Sequence, residues 1–326
     1  MKISVFGVGS VAGVVAARMA RAGVDGLTLV ARGQHLDTMR RNGLSVRDSS
    51  GEWSVPVNAT DDTPAIGVQD ILFLGLKAHS IAPALPQIAP LVGPETIIVP
   101  MLNGIPWWYF FGLGDHASEP HLDSVDPGGR IWRALPPEQV LGCVVYIGSN
   151  VAAPGVIEHN NGGTYIIGEP DGKASDRTAT VASLFEAADL PAPVSDDIRG
   201  DIWTKLWGNL SSNPMSVVCE ANCLELADDA GLSEAMAGMM REGLAVAQSV
   251  RPGTTLDVDD RLRALRSLGP IATSMLQDYR AGKSLEIDAL LGVICELGRR
   301  SGIETPRCDL IYALAKFKAE RKTGVD

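Results

Sequence analysis

A glycine-rich septet stands directly behind the first apolar run. Ile3 to Phe6 is β-prone, Gly7-Val8-Gly9-Ser10-Val11-Ala12-Gly13 follows without a gap, and Val14 to Ala20 then has helical composition. The septet fits GxGxxG/A, and strand, glycine turn and helix in that order are the context in which the pattern carries meaning. Gly7 permits the tight turn, Gly9 lets the backbone approach a pyrophosphate, and Ala12 is small enough for the helix to pack on the strand. Free N–H groups at the helix start, around Ser10 and Val11, point at the anion. A dinucleotide site formed by Gly7, Val8, Gly9, Ser10, Val11 and Ala12 is therefore predicted.

The rest of the N-terminal half repeats the alternation. Leu27 to Val30, Ile71 to Leu76 and Thr96 to Pro100 are strand-like and are separated by helix-length segments. This predicts an α/β fold with a parallel, doubly wound, Rossmann-type sheet. After residue 140, "VLGCVVYIGSNV", "GVIEH" and "TYIIGEP" read as short strands that extend or flank the sheet. From about Asp196 the strand signals vanish. Leu232, Met236, Met239, Met240 and Leu244 recur at helical spacing, as do Ile287, Leu290, Leu291, Ile294 and Leu297, and Thr305-Pro306 is a helix start. The expected division is a nucleotide-binding domain over 1–195 and an all-helical substrate or dimerisation domain over 196–326. Apolar faces on the helices expected at Ser284 to Arg300 and Leu310 to Lys318 leave packing within the domain and across a homodimer both open.

The second strand ends at "LVARGQH", where a site built for NAD usually has an acid for the ribose 2′-hydroxyl. Arg32 stands there instead and suits a 2′-phosphate, so NADP(H) is expected over NAD(H). No FAD-binding signature accompanies the loop. Two more polar residues follow apolar strands: Lys77 after "ILFLGL" and Asn103-Gly104 after "IIVPML". Ligands of open parallel sheets bind at the carboxyl ends of the strands, so both are candidates to face cofactor and substrate.

Lysine plus arginine number 28 against 39 aspartate plus glutamate, a net charge of −11, with no basic run. Nucleic acid and anionic membrane are not expected partners. No stretch reaches the ~18 uninterrupted apolar residues of a membrane span, and the N-terminus reads as a strand rather than a signal, so a cytoplasmic protein is expected. The five cysteines lack a CxxC pair and read as reduced thiols; Cys219 and Cys223, without a neighbouring histidine, do not predict a metal site. Between Trp107 and Gln139, five consecutive aromatics (Trp107 to Phe111) precede a segment rich in Gly, Pro and acids. It is too long for a simple connection and reads as a packed lid or an oligomer contact.

In "TKLWGNLSSNP", Lys205, Asn209 and Asn213 are spaced by four. At ~3.6 residues per turn they form a slanted polar row, while Trp207 and Leu210 flank it with groups that favour burial. The row is expected to face inward and to meet something polar.

"FGVGSVAG", "LGLKA", "LNG", "KLWGNLSSNP" and "TSMLQDYRAGKSLEID" together resemble ketopantoate reductase (2-dehydropantoate 2-reductase), in order and over nearly the whole chain. The resemblance implies NADPH-dependent reduction of 2-dehydropantoate to pantoate, a step of pantothenate and coenzyme A biosynthesis. It further implies a site between a Rossmann domain and a helical domain of the 6-phosphogluconate dehydrogenase C-terminal type. Lys205 then looks like the general acid, with Glu286 as the carboxylate at the cofactor or substrate. Asn103, Asn209, Asn213 and Ser274 look like substrate-binding groups. Lys77 and Asn103 look like nicotinamide-side contacts, and Gly148 is expected to be a further cofactor contact. A lysine donor works better with its pKa lowered by burial or a second cation such as Lys77.

Two departures bear on the substrate. The family's further asparagine beyond the row has no direct counterpart in Cys219-Glu-Ala-Asn222-Cys223, so that Asn222 substitutes with a shift of register or the contact is absent. The insertion after Asn103 is also longer than in compact members. A reductase of another branched 2-keto or 3-keto acid is one alternative; an opine or 3-hydroxyacid dehydrogenase type is another. A non-catalytic NADP-binding protein is a third, though such a protein need not keep Lys205, Asn209, Asn213, Ser274 and Glu286. His35, His79, His116, His121 and His159 show no pairing with an acid that would suit a histidine proton donor.

Overall fold

A computed structural model describes residues 1–114 and 120–323. Its strands are β1 (Ile3–Phe6), β2 (Leu27–Val30), β3 (Leu44–Asp48), β4 (Gly51–Val55), β5 (Ala59–Thr60), β6 (Ile71–Leu74), β7 (Ile97–Pro100), β8 (Gly142–Ala153) and β9 (Val156–Gly168). The chain divides into two compact units. The N-terminal unit comprises residues 1–102, 107–121 and 128–201; the C-terminal unit comprises 103–106, 122–127 and 202–326. The expected boundary at 195 thus compares with a division at 201/202, inside the helix Ile198–Cys219.

The N-terminal unit is Rossmann-like. Its first sheet has the order β5-β2-β1-β6-β7, with every pair parallel. β1, β6 and β7 read as short apolar runs because both sheet faces are covered. The strand order reverses beside β1, which makes the carboxyl ends of β1 and β6 the switch point where such folds hold ligands.

A second sheet, β4-β3-β9-β8, packs on the other side of the helix Ser10–Arg21. The expected short strands after residue 140 are instead one long antiparallel hairpin, β8–β9, with three register shifts. Gly148, Asn161, Gly162 and Gly163 sit at those irregularities rather than between separate strands. Isolated bridges Ile98–Val140 and Met101–Cys143 run the start of β8 alongside β7. The helix Asp176–Ala187 ties the sheets together through Phe185, edge-on to Phe73 of β6 at 5.7 Å and stacked on Tyr165 of β9 at 5.1 Å.

The aromatic run is interior packing of this unit rather than a cover. Trp107, Trp108, Tyr109 and Phe110 are buried. Trp107 Nε1 donates to the Leu135 carbonyl at 3.2 Å, and Gly142 leaves room for the Trp108 ring, which a Cβ there would meet at 2.9 Å. The buried Arg199 guanidinium donates to the carbonyls of Tyr109 (2.7 Å), Phe111 and Pro170. Residues 115–119 of the insertion, with His116, lie outside the described residues.

The C-terminal unit is built of helices, with no strand among its described residues. Met236, Met239 and Met240 of the helix Ala230–Val250 are core residues, and Leu290, Leu291, Ile294 and Leu297 are buried as well. Leu310, Leu314 and Phe317 on Pro306–Thr323 are exposed. No helix among the described residues is long and apolar enough to cross a membrane.

Candidate functional site

The glycine turn after β1 is held where the sequence pattern requires. Gly7 has φ +84°, accessible at no steric cost only without a side chain, and its N–H donates to the Val30 carbonyl at 2.9 Å. Gly75, at the end of β6, is the partner the motif does not name. A Cβ there would lie 2.2 Å from the Ala12 Cβ and 2.4 Å from the Gly7 oxygen, while one on Gly7 would meet Leu76 at 2.6 Å. The two loops at the switch point therefore press together backbone to backbone. Gly9 faces freer space, its nearest neighbour being the Gly75 oxygen at 3.6 Å.

Gly9 is also the N-cap of Ser10–Arg21, with no side-chain cap and no acid in the first turn. The Gly9 N–H donates to the Gly7 carbonyl at 2.8 Å, and the N–H groups of Ser10, Val11 and Ala12 make no such bond among the described residues, so they can meet an anion. Gly13 packs against Ile157 of β9, which a Cβ would approach to 2.7 Å. The backbone cradle fits a pyrophosphate, because Gly9 leaves open the space beside the helix start that a side chain there would occupy, while Gly7 and Gly75 let the two loops close behind it.

Arg32 caps the N-terminal end of the helix Gly33–Asn42 in extended conformation. It is exposed, and its guanidinium makes no hydrogen bond or ion pair among the described residues. Three residues on, His35 accepts from the Gly155 N–H at its Nδ1 (2.9 Å). That leaves the proton on Nε2, which is buried and meets no hydrogen-bond partner among the described residues; burial holds the imidazole below its ordinary pKa, and the Val8 backbone partly offsets this. Lys77 caps the helix Ala78–Ile88 two residues beyond Gly75. Gly148 belongs to the second sheet, on β8. Its want of a side chain has a local cause there, since a Cβ would meet Asn161 Oδ1 at 2.5 Å.

In the C-terminal unit three of the singled-out residues converge. Lys205 Nζ donates to Asn103 Oδ1 at 2.7 Å, and Asn103 Nδ2 donates to Glu286 Oε2 at 3.0 Å. An ammonium can only donate and an ionised carboxylate can only accept, so the amide of Asn103 has one workable orientation. Residues 102, 183 and 81 positions apart in the sequence pairs 103/205, 103/286 and 205/286 thus form one relay of lysine, amide and carboxylate. All three side chains are half-buried.

The polar row behaves as its flanks demand. Ile202, Trp203, Leu206, Trp207 and Leu210 are buried, with Trp203 stacked on Trp207 at 5.0 Å and Leu210 packed at Gly243. Asn209 is half-buried and Asn213 buried, and neither amide makes a side-chain hydrogen bond among the described residues. Buried amides normally find partners, so two idle ones beside a lysine are spare capacity for a polar ligand.

Ser274 is exposed at the first position of Ser274–Arg280, where Thr273 supplies the cap. Asn222 does not extend the row: its Oδ1 accepts from the Glu225 N–H in a capping box at the start of Cys223–Asp228. A short polar residue followed three positions later by Glu is the signal that would have marked it. Cys219 is exposed and Cys223 buried, and no three His, Cys, Asp or Glu among the described residues group as metal ligands.

Family models confirm how far the pattern extends. Residues 3–172 match "Ketopantoate reductase PanE/ApbA", and residues 197–319 match its C-terminal model. A 2-dehydropantoate 2-reductase of Mesorhizobium japonicum is 43% identical over 316 residues, covering 97% of both chains. A crystal structure provisionally described as a ketopantoate reductase of Ralstonia solanacearum superposes with a TM-score of 0.91 at 38% identity, covering 98% of both chains. A PanE/ApbA family ketopantoate reductase of Ralstonia eutropha does so with a TM-score of 0.84 at 26% identity, covering 99% of both chains.

Proposed function

Because the chain belongs to the ketopantoate reductase family of oxidoreductases, we propose that it reduces 2-dehydropantoate to pantoate with NADPH, feeding pantothenate and coenzyme A synthesis. The observation that carries the reading is the Lys205–Asn103–Glu286 relay with the unengaged amides of Asn209 and Asn213 on the same helix as the lysine.

The glycine turn and the uncapped start of Ser10–Arg21 would hold the pyrophosphate, and Arg32 would pair with the 2′-phosphate. Bound NADPH supplies the hydride that the carbonyl carbon receives. As that carbon becomes tetrahedral, negative charge grows on its oxygen, and the Lys205 ammonium is the group that stabilises the charge and gives up a proton to it. Asn103 accepts one Lys205 N–H, which fixes the direction of the others, and Glu286 in turn fixes Asn103. Asn209 and Asn213 would donate to the carboxylate and hydroxyl oxygens of the keto acid. Ser274 would be a further substrate contact, Lys77 a nicotinamide-side contact with Asn103, and Gly148 a further cofactor contact.

The test is turnover of the purified chain with 2-dehydropantoate and a series of other branched 2-keto acids, followed by nicotinamide absorbance, with NADPH and NADH in parallel. Preference for 2-dehydropantoate and NADPH is expected. Nucleotide binding without reduction of any keto acid would leave only a binding protein.

A further inference from the structure

The loop that carries Asn103 is seated on an irregular turn of helix. Asp288–Gly292 is π-helical, and the helix continues regularly as Val293–Ser301. The Val293 N–H bonds to the Asp288 carbonyl, one residue further back than an α-helix would use. The Ala289 carbonyl therefore loses that helical donor, and the Ile105 N–H donates to it instead at 3.2 Å. Gly104 lies against the same oxygen at φ +78°, where a Cβ would stand 1.9 Å away. No side chain fits between Asn103 and this carbonyl.

The turn is pinned from the helix Pro306–Thr323. The Tyr312 hydroxyl donates to Asp288 Oδ1, and Lys316 Nζ reaches the same oxygen at 3.2 Å and the Tyr312 oxygen at 3.3 Å. Gly292 admits the Tyr312 ring, which a Cβ would meet at 2.9 Å. Burial first, and then the Asp288 carboxylate, raise the Tyr312 hydroxyl above its ordinary pKa, so it remains a donor at neutral pH. π-Turns are rare and concentrate at functional sites, and this one lies two residues past Glu286.

We propose that Asp288, anchored by Tyr312 and Lys316, is a positioning residue for the reaction: it holds the π-turn that presents the Ala289 carbonyl to Ile105, and thereby sets Asn103 between Lys205 and Glu286. The catalytic part rests on Lys205 being the proton donor, as proposed above. None of the three anchoring groups needs to reach the substrate, because they act through the backbone of 103–106.

The test compares wild type, Asp288→Ala, Asp288→Asn and Tyr312→Phe in the full chain. Asp288→Ala is expected to speed hydrogen exchange at the Ile105 amide by about tenfold or more. It should lower kcat on the keto acid by about tenfold or more with the nucleotide KM within about twofold. Asp288→Asn keeps an acceptor for the Tyr312 hydroxyl and should recover most of both. Unchanged exchange at Ile105, or faster exchange with unaltered kcat, overturns the proposal. If Asp288→Ala does not fold, Tyr312→Phe is read by the same two criteria. A wild-type chain inactive on every 2-keto acid overturns the catalytic reading beneath it, while the exchange comparison still decides the coupling.

Discussion

Substituting by alanine Gly9, within the nucleotide loop, and Gly75, packed against it, should separate what the ligand needs from what the protein needs. At Gly75 the new Cβ would stand 2.2 Å from the Ala12 Cβ and 2.4 Å from the Gly7 oxygen, whereas ordinary contacts begin at 3.4 Å. Relief requires the glycine turn or the helix Ser10–Arg21 to retreat by about 1 Å, and overpacking of this kind costs ~1–3 kcal/mol. For a unit of this size that lowers the melting temperature by roughly 3–10 °C. A retreat on that scale also withdraws the helix start from the pyrophosphate, so NADPH should bind at least about tenfold more weakly.

At Gly9 the nearest atom is 3.6 Å away and φ is −83°, so alanine enters without strain. Gly9→Ala should melt within about 2 °C of wild type, the residual change being the poorer N-cap, yet bind NADPH at least about tenfold more weakly because the methyl occupies the approach to the pyrophosphate. Thermal denaturation and titration of nucleotide fluorescence read both effects. A Gly9→Ala protein that binds NADPH as wild type does, or a Gly75→Ala protein with an unaltered melting temperature, would refute this account of the loop.

Arg32→Glu should raise the KM for NADPH by about tenfold or more and leave NADH as good or better, since a carboxylate repels the 2′-phosphate and suits the 2′-hydroxyl; equal loss with both nucleotides sinks the assignment. Asn209→Ala and Asn213→Ala should each raise the keto-acid KM by about tenfold, the worth of one hydrogen bond to a charged group, without moving the NADPH KM; initial-rate kinetics decide. Asp48 offers a pH test of the N-terminal unit. Burial alone would raise its pKa, but hydrogen bonds from Ser50 and Trp53 and the Arg18 guanidinium hold it at about 2, below the unfolded value of 3.8. A depressed folded pKa means stability that is complete above the unfolded value and lost as pH falls through the folded one. The melting-temperature gap between wild type and Asp48→Asn should therefore stay constant above about pH 5 and close towards pH 2; a constant gap throughout would contradict it.

The legible parts of the molecule were those written locally. The glycine turn at Gly7–Ala12 sits in one unbroken strand–turn–helix stretch, and β1, β6 and β7 are apolar runs because both faces are covered. The row Lys205, Asn209, Asn213 was visible because Trp207 and Leu210 state which side of the helix is buried. What escaped is non-local. Gly75 matters through Ala12 and Gly7, some sixty residues away in sequence, and nothing in "LGLKA" reports that contact. The long β8–β9 hairpin read as fragments because its register shifts carry turn-like residues. Asn222 looked like a displaced ligand because an isolated asparagine says nothing of its partner; the Glu225 three positions on explains it. Gly104 needs its positive φ only because a π-turn elsewhere offers a carbonyl to its neighbour, and helical periodicity does not foretell a π-turn.

The central claim is that Lys205 is the proton donor in a 2-keto acid reduction. The most direct measurement is single-turnover oxidation of NADPH by wild type and Lys205→Ala with 2-dehydropantoate, alongside NADPH binding to each. The account predicts a fall of ~10²-fold or more in the rate of the chemical step with nucleotide affinity unchanged. A Lys205→Ala protein that reduces 2-dehydropantoate at the wild-type rate would contradict it.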